Sequence, residues 1–105
     1  MAGIVHIPWY ATGFRHDAFE TALSDVTHTS QRYGATHWFV HRSRDDRYKF
    51  LQAVDFDSKS DFERWWHGHE MIEFRAMTSG WYQIPVFYVW HDLVTQGTVS
   101  AIPVV

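Results

Sequence analysis

The order in which the hydrophobic period changes along the chain limits the fold more than any single motif. Ile4 to Tyr10 alternates between two faces, with Ile4, His6, Pro8 and Tyr10 on one and Val5, Ile7 and Trp9 on the other, as a strand does. Asp17 to Tyr33 switches to steps of three and four, with Phe19, Leu23, Val26, Ser30 and Tyr33 on one face and Ala22 beside them. Gly34 follows, where a left-handed helix cap is usual. Thr36–Arg42 and Tyr48–Phe56 return to a period of two around the polar turn Ser43–Arg47, which predicts a hairpin. Ser60–Met77 is helical again, and Gln83–Asp92 is a fourth strand.

The order β-α-β-β-α-β predicts an α+β, ferredoxin-like fold, a four-stranded antiparallel sheet with both helices on one face. At 105 residues, one domain spans the chain, with a core from about residue 4 to 94 and a C-terminal arm from 95 to 105. The apolar, β-branched residues of Thr98–Val105 predict a short strand or an arm lying on an edge or on a partner. Two helices cover one sheet face. Strands one, three and four carry large apolar residues on both, so the uncovered face predicts a homodimer packed sheet to sheet.

The second helical stretch holds most of the candidate chemistry. Ser60 and Glu63 have capping-box spacing. Phe62, Trp65, His69, Ile72 and Ala76 recur on one face, and Gly68 predicts a break between His67 and His69. Adjacent helical residues point about 100° apart, so Trp65 and Trp66 cannot both face the core; one borders a pocket or an interface. A neutral histidine at such a break can take a proton from a phenol or quinol, which makes His67 and His69 candidate bases. Both can equally be solvated residues at a kink, and Trp65 can be a plain core residue.

Other chemistries find little support. Cysteine is absent, which removes disulfides and thiol nucleophiles. No phosphate-binding glycine loop or Gly-x-Ser-x-Gly elbow occurs. His37 and His41 share a strand face about 13 Å apart, too far for one metal ion. No metal site or cofactor is expected. The net charge of −3 and the scattered basic residues argue against nucleic acid; the group Arg42–Arg47 also holds Asp45 and Asp46, the composition of an exposed turn. No basic segment leads into an apolar run at the start, and no run nears the roughly 20 residues of a membrane span, so the expectation is a cytoplasmic protein without membrane contact.

Gly34, the strand Thr36–Arg42, the charged turn, the strand ending at Asp55, Phe56 and Ser58, and the pair Phe62 and Trp65 resemble the antibiotic-biosynthesis-monooxygenase-like group of dimeric α+β barrels. The resemblance covers roughly Ile4 to Val94. It implies a pocket between sheet and helices for an apolar or aromatic small molecule, bordered by Val5, Ile7 and Trp9 of the first strand and by the second helical region, with Phe62, Trp65, Trp66 and Phe74. It implies cofactor-independent monooxygenation of aromatic or quinol substrates. The alternative is a non-catalytic binding or structural protein, which a pocket packed solid by Phe62, Trp65, Trp66 and Phe74 would favour. The Phe-x-x-Trp-x-x-Gly pattern of Phe62, Trp65 and Gly68 is similar to the haem-degrading branch. That branch implies a histidine ligand about nine residues after the tryptophan, and Phe74 stands there instead, with no lone pair to offer iron. It also implies a first-strand asparagine; Ile7 occupies that position and the chain has no asparagine. Haem degradation is therefore not expected.

Overall fold

The computed structural model describes residues 1–102. Its elements run β1 (Gly3–Tyr10), α1 (His16–His28), β2 (Ala35–Arg42), β3 (Lys49–Phe56), α2 (Lys59–Trp66), α3 (His69–Met77) and β4 (Val89–Asp92). The strands form one antiparallel sheet in the order β2-β3-β1-β4. This is the ferredoxin-like arrangement, and the helices lie on one face of the sheet.

Alternation in the strands decides which residues meet the helices. Val5, Ile7 and Trp9 of β1 and Phe50, Gln52, Val54 and Phe56 of β3 point inward and are buried. They close on Phe19, Leu23 and Val26 of α1, Phe62 and Trp65 of α2, and Met71 and Phe74 of α3. Gln52 is polar and fully buried, and its position is explained by its hydrogen bonds. The Trp9 indole Nε1 donates to Gln52 Oε1 at 3.0 Å. Gln52 Nε2 donates to Thr27 Oγ1 at 2.7 Å, and Thr27 Oγ1 donates to the Leu23 carbonyl at 2.6 Å. One polar chain thus ties β1, β3 and α1 together inside an otherwise apolar layer.

Several expected boundaries shift. The first helix stops at His28 and tightens into a 3-10 turn, Thr29–Tyr33, closed by Gly34 at φ 98°. The cap of α2 is Ser58, whose hydroxyl accepts from the Asp61 N–H at 3.2 Å; the box expected at Ser60 starts one half-turn too late. The break at Gly68 is present, but the helical phase does not carry across it. His69, Ile72 and Ala76 are exposed, and Met71, Phe74 and Thr78 face the core instead. Gly68 itself has an ordinary extended backbone, φ −75° and ψ 165°. Space, not torsion, favours glycine here: a Cβ would stand 2.5 Å from Tyr33 Oη. Arg42 does not belong to the exposed turn. Its guanidinium bonds Asp17 at 2.9 Å and Glu20 at 3.2 Å, fastening the end of β2 to α1.

The fourth strand covers only Val89–Asp92 of the expected Gln83–Asp92. Its expected sidedness holds, since Tyr88 and Trp90 pack on Phe62 from the helix side. Beyond it, the Leu93 N–H donates to the Ala2 carbonyl, and Thr98–Ile102 forms no strand within the single chain. The last residues of the expected arm, Pro103–Val105, lie outside the described residues.

Thr27→Val removes the acceptor for Gln52 Nε2 while nearly conserving volume. It should lower stability by about 1–3 kcal/mol, the cost of a buried amide left without a partner. Urea unfolding followed by tryptophan fluorescence checks this, with an unchanged midpoint as the contrary outcome.

Candidate functional site

The aromatic residues expected around a pocket do converge, and most of them fill it. Trp9 is the centre. Its ring centroid lies 5.7 Å from Phe19, 5.6 Å from Phe74, 5.0 Å from Tyr82 and 6.3 Å from Trp66. Phe62 and Trp65 pack against Phe56 on one side of this group. Ile7, Trp9, Phe62, Trp65 and Phe74 are all core residues. Trp65 is fully buried and donates its indole N–H to Thr29 Oγ1 at 3.2 Å. Trp66 is turned out by the helical step. It is half-buried, with Phe62 and Tyr88 against its ring at 6.0 and 5.5 Å.

The two candidate bases sit at the junction of α2 and α3, and both are exposed. His69 Nδ1 lies 3.1 Å from Glu70 Oε1. Glu70 is the better-placed group of the two. It accepts from Tyr33 Oη at 2.6 Å and pairs with Arg32 at 3.3 Å. The Tyr33 hydroxyl holds its carboxyl below the ordinary range, and the same bond raises the Tyr33 phenol.

Two side chains escaped the sequence reading. Arg75 of α3 reaches back across the break, and its Nη2 donates to the Trp66 carbonyl at 3.1 Å. Tyr82, in the segment after α3, lies against Trp9, and its burial raises its phenol. No local signal marks either residue, because each meets its partners across a turn whose path the sequence pattern leaves open. Further hollows lie around this core. One of about 330 Å3 runs between α1 and α3 over Phe74, with Asp25, Glu70 and Glu73 at its rim. One of about 250 Å3 lies on the uncovered sheet face, lined by Ile4, His6, Phe39, His41, Leu51 and Ala53. One of about 410 Å3 lies at the sheet end by Gly3, His37 and Asp55. Among the described residues, no three metal-ligating side chains come together.

A candidate antibiotic biosynthesis monooxygenase of Nitrosomonas europaea superposes over 89% of this chain and 90% of its own, with a TM-score of 0.80 at 16% identity. The chain has the fold of the antibiotic biosynthesis monooxygenases. A second candidate antibiotic biosynthesis monooxygenase, from Deinococcus radiodurans, matches 96% of this chain and all of its own, at a TM-score of 0.80 and 10% identity. SnoaB, a cofactor-independent oxygenase of Streptomyces nogalater, matches 90% of this chain and 95% of its own, at a TM-score of 0.76 and 10% identity. No family model and no curated protein matches the sequence. Identities this low carry the antibiotic-biosynthesis-monooxygenase fold and leave the chemistry to the site.

The Tyr33–Glu70 bond makes a pH prediction. A carboxyl whose pKa is lowered by folding stabilises the protein above the unfolded value, near 4.5, and that stability fades as pH falls through the lower folded value. Tyr33→Phe removes the main cause of the lowering. The variant should lose less stability than the parent between neutral and strongly acid pH, as urea midpoints across that range will show.

Proposed function

We propose that this protein is a homodimer that binds a flat aromatic small molecule at the Trp66 end of its aromatic core and oxygenates it without a cofactor. The observation that carries this reading is Trp66, a half-buried indole bordered by Tyr88 and continuous with the stack around Trp9. The fold shared with a cofactor-independent oxygenase supports the chemistry. The substrate's own anion reduces oxygen. For a CH2 flanked by aromatic rings, CH2 and O2 give C=O and H2O, and the substrate supplies all the electrons. The protein's tasks are to take the first proton, to hold the ring still and to keep the anion dry. His67 or His69 is the proposed base, and Trp66 is the proposed wall.

Anthrone is a suitable probe, because its CH2 enolises and its product is anthraquinone. The expected result is protein-dependent uptake of one O2 per anthraquinone formed, measured with an oxygen electrode and chromatography. Trp66→Ala should lower kcat/KM by roughly tenfold to a hundredfold through lost positioning. His67→Ala or His69→Ala, whichever removes the base, should lower kcat by roughly a hundredfold or more. Absence of protein-dependent uptake with anthrone and with naphthalene-1,4-diol would sink the catalytic reading.

The close packing of Ile7, Trp9, Phe62, Trp65 and Phe74 favours the second reading, a non-catalytic binding protein on the same fold. Binding without oxygen uptake is its signature.

The dimer is proposed on the uncovered sheet face. Phe39 and Leu51 stand there with more than a third of their surface exposed, beside Ile4 and Ala53. A second copy packed face to face covers them. Sedimentation at micromolar concentration should show a dimer. Leu51→Asp should shift it to monomer, because each copy would bury a carboxylate in the apolar interface. A folded wild-type monomer would contradict the proposal.

A further inference from the structure

Arg75 projects from α3 into the angle between α2 and the segment that follows α3. Its guanidinium carbon lies 4.9 Å from the centre of the Trp66 ring. Nη2 is satisfied by the Trp66 carbonyl at 3.1 Å, a bond that also caps the end of α2. Nη1 is buried and has no acceptor. Every ion pair among the described residues lies elsewhere, so no carboxylate comes within 4.0 Å of this guanidinium. Tyr82 is its titratable neighbour, and burial holds the arginine below its ordinary range while raising the tyrosine.

A capping role for Nη2 explains half of this side chain. It does not explain a charged N–H held dry and unpaired, which costs more than a neutral one would. An uncharged donor reaching the same carbonyl would avoid that cost. The guanidinium lies over the Trp66 ring with Tyr82 as its neighbour, and no acidic side chain stands within 4.0 Å to compete for the unpaired donor. A flat ligand bearing a negative oxygen supplies both missing parts, an acceptor for the donor and a ring for the aromatic wall.

We propose that Arg75, Trp66 and Tyr82 form a subsite for an aromatic oxyanion, a carboxylate or a phenolate, with Arg75 Nη1 as its donor and Trp66 as the stacking wall. This rests on reading the Trp66 end as a ligand site; it does not depend on oxygen chemistry there. The route in is the segment Ile84–Tyr88. Among the described residues it makes no backbone hydrogen bond to the rest of the chain, and Ile84 and Phe87 are largely exposed. Displacing it breaks side-chain contacts alone.

The test is a charge series on one ring system, measured by calorimetry and by the Trp66 indole N–H shift in NMR. The full chain is titrated with 1-naphthoate, with 4-nitro-1-naphthol ionised at pH 8, with neutral 1-naphthalenemethanol and with cationic 1-naphthylmethylamine. At least one anion should bind at least about tenfold more tightly than the alcohol, and the amine should bind least, as expected for one charge-assisted hydrogen bond. Naphthoate and naphtholate arms separate a carboxylate site from a phenolate site. Arg75→Met should erase the preference for the anion and leave the alcohol's affinity unchanged, and Arg75→Lys should restore part of it. If Arg75→Met fails to fold by circular dichroism, the charge series on the wild type decides alone. Equal affinity for anion and alcohol, absence of binding, or a preference that survives Arg75→Met overturns the subsite. Oxygen uptake that is independent of Arg75 would leave the catalytic reading standing without it. Anion binding without oxygen uptake would do the reverse.

Discussion

The hydrogen-bonded chain from Trp9 through Gln52 to Thr27 is the contact on which the rest of the structure depends. A tryptophan on a central strand brings a large apolar area into a small core, and it brings an N–H that must find an acceptor there. Gln52 supplies the acceptor from the neighbouring strand and passes the demand on to Thr27. Thr27 meets it by turning its own hydroxyl to the helix backbone. Each member would be costly alone. Together they lock the register of β1 against β3 and the height of α1 above both.

Everything around the candidate site follows from where that chain puts the Trp9 ring. Phe19, Phe74 and Tyr82 pack on it, and Trp66 closes the end of the stack. The space that the resemblance assigns to a ligand is thereby occupied by protein over most of its length. What is left for a ligand is the margin, where Trp66 is half-exposed, Arg75 has an unpaired donor and the segment before β4 lies over them. Fold likeness at 10–16% identity is compatible with catalysis or with binding. The chemistry is therefore argued from these side chains.

Much of this was legible in order and alternation. The four strands, the two helical regions, the sidedness of β1, β3 and β4 and the break at Gly68 follow from periods of two and of three to four, because backbone geometry imposes those periods wherever one face is buried. The conclusion that one of Trp65 and Trp66 must leave the core also needed only helical geometry, and Trp65 is the buried one. The phase of α3 was not legible. The break at His67 and Gly68 resets the rotation of the following helix, so His69, Ile72 and Ala76 continued the earlier wheel on paper and point to solvent in the fold. The cap shifted from Ser60 to Ser58 for a related reason: both serines offer the same chemistry, and the position of β3 selects between them.

The sequence by itself determined the element order, the inward faces of the strands and the apolar residues left on the other sheet face, since each of these is a property of local period. Only the tertiary structure decided that Trp9 fills the interior, that Tyr33 leaves no room for a side chain at Gly68, and that Arg75 comes back over Trp66. Those are contacts between segments far apart or separated by a turn. Their geometry depends on how the layers are stacked, and local spacing carries no record of it.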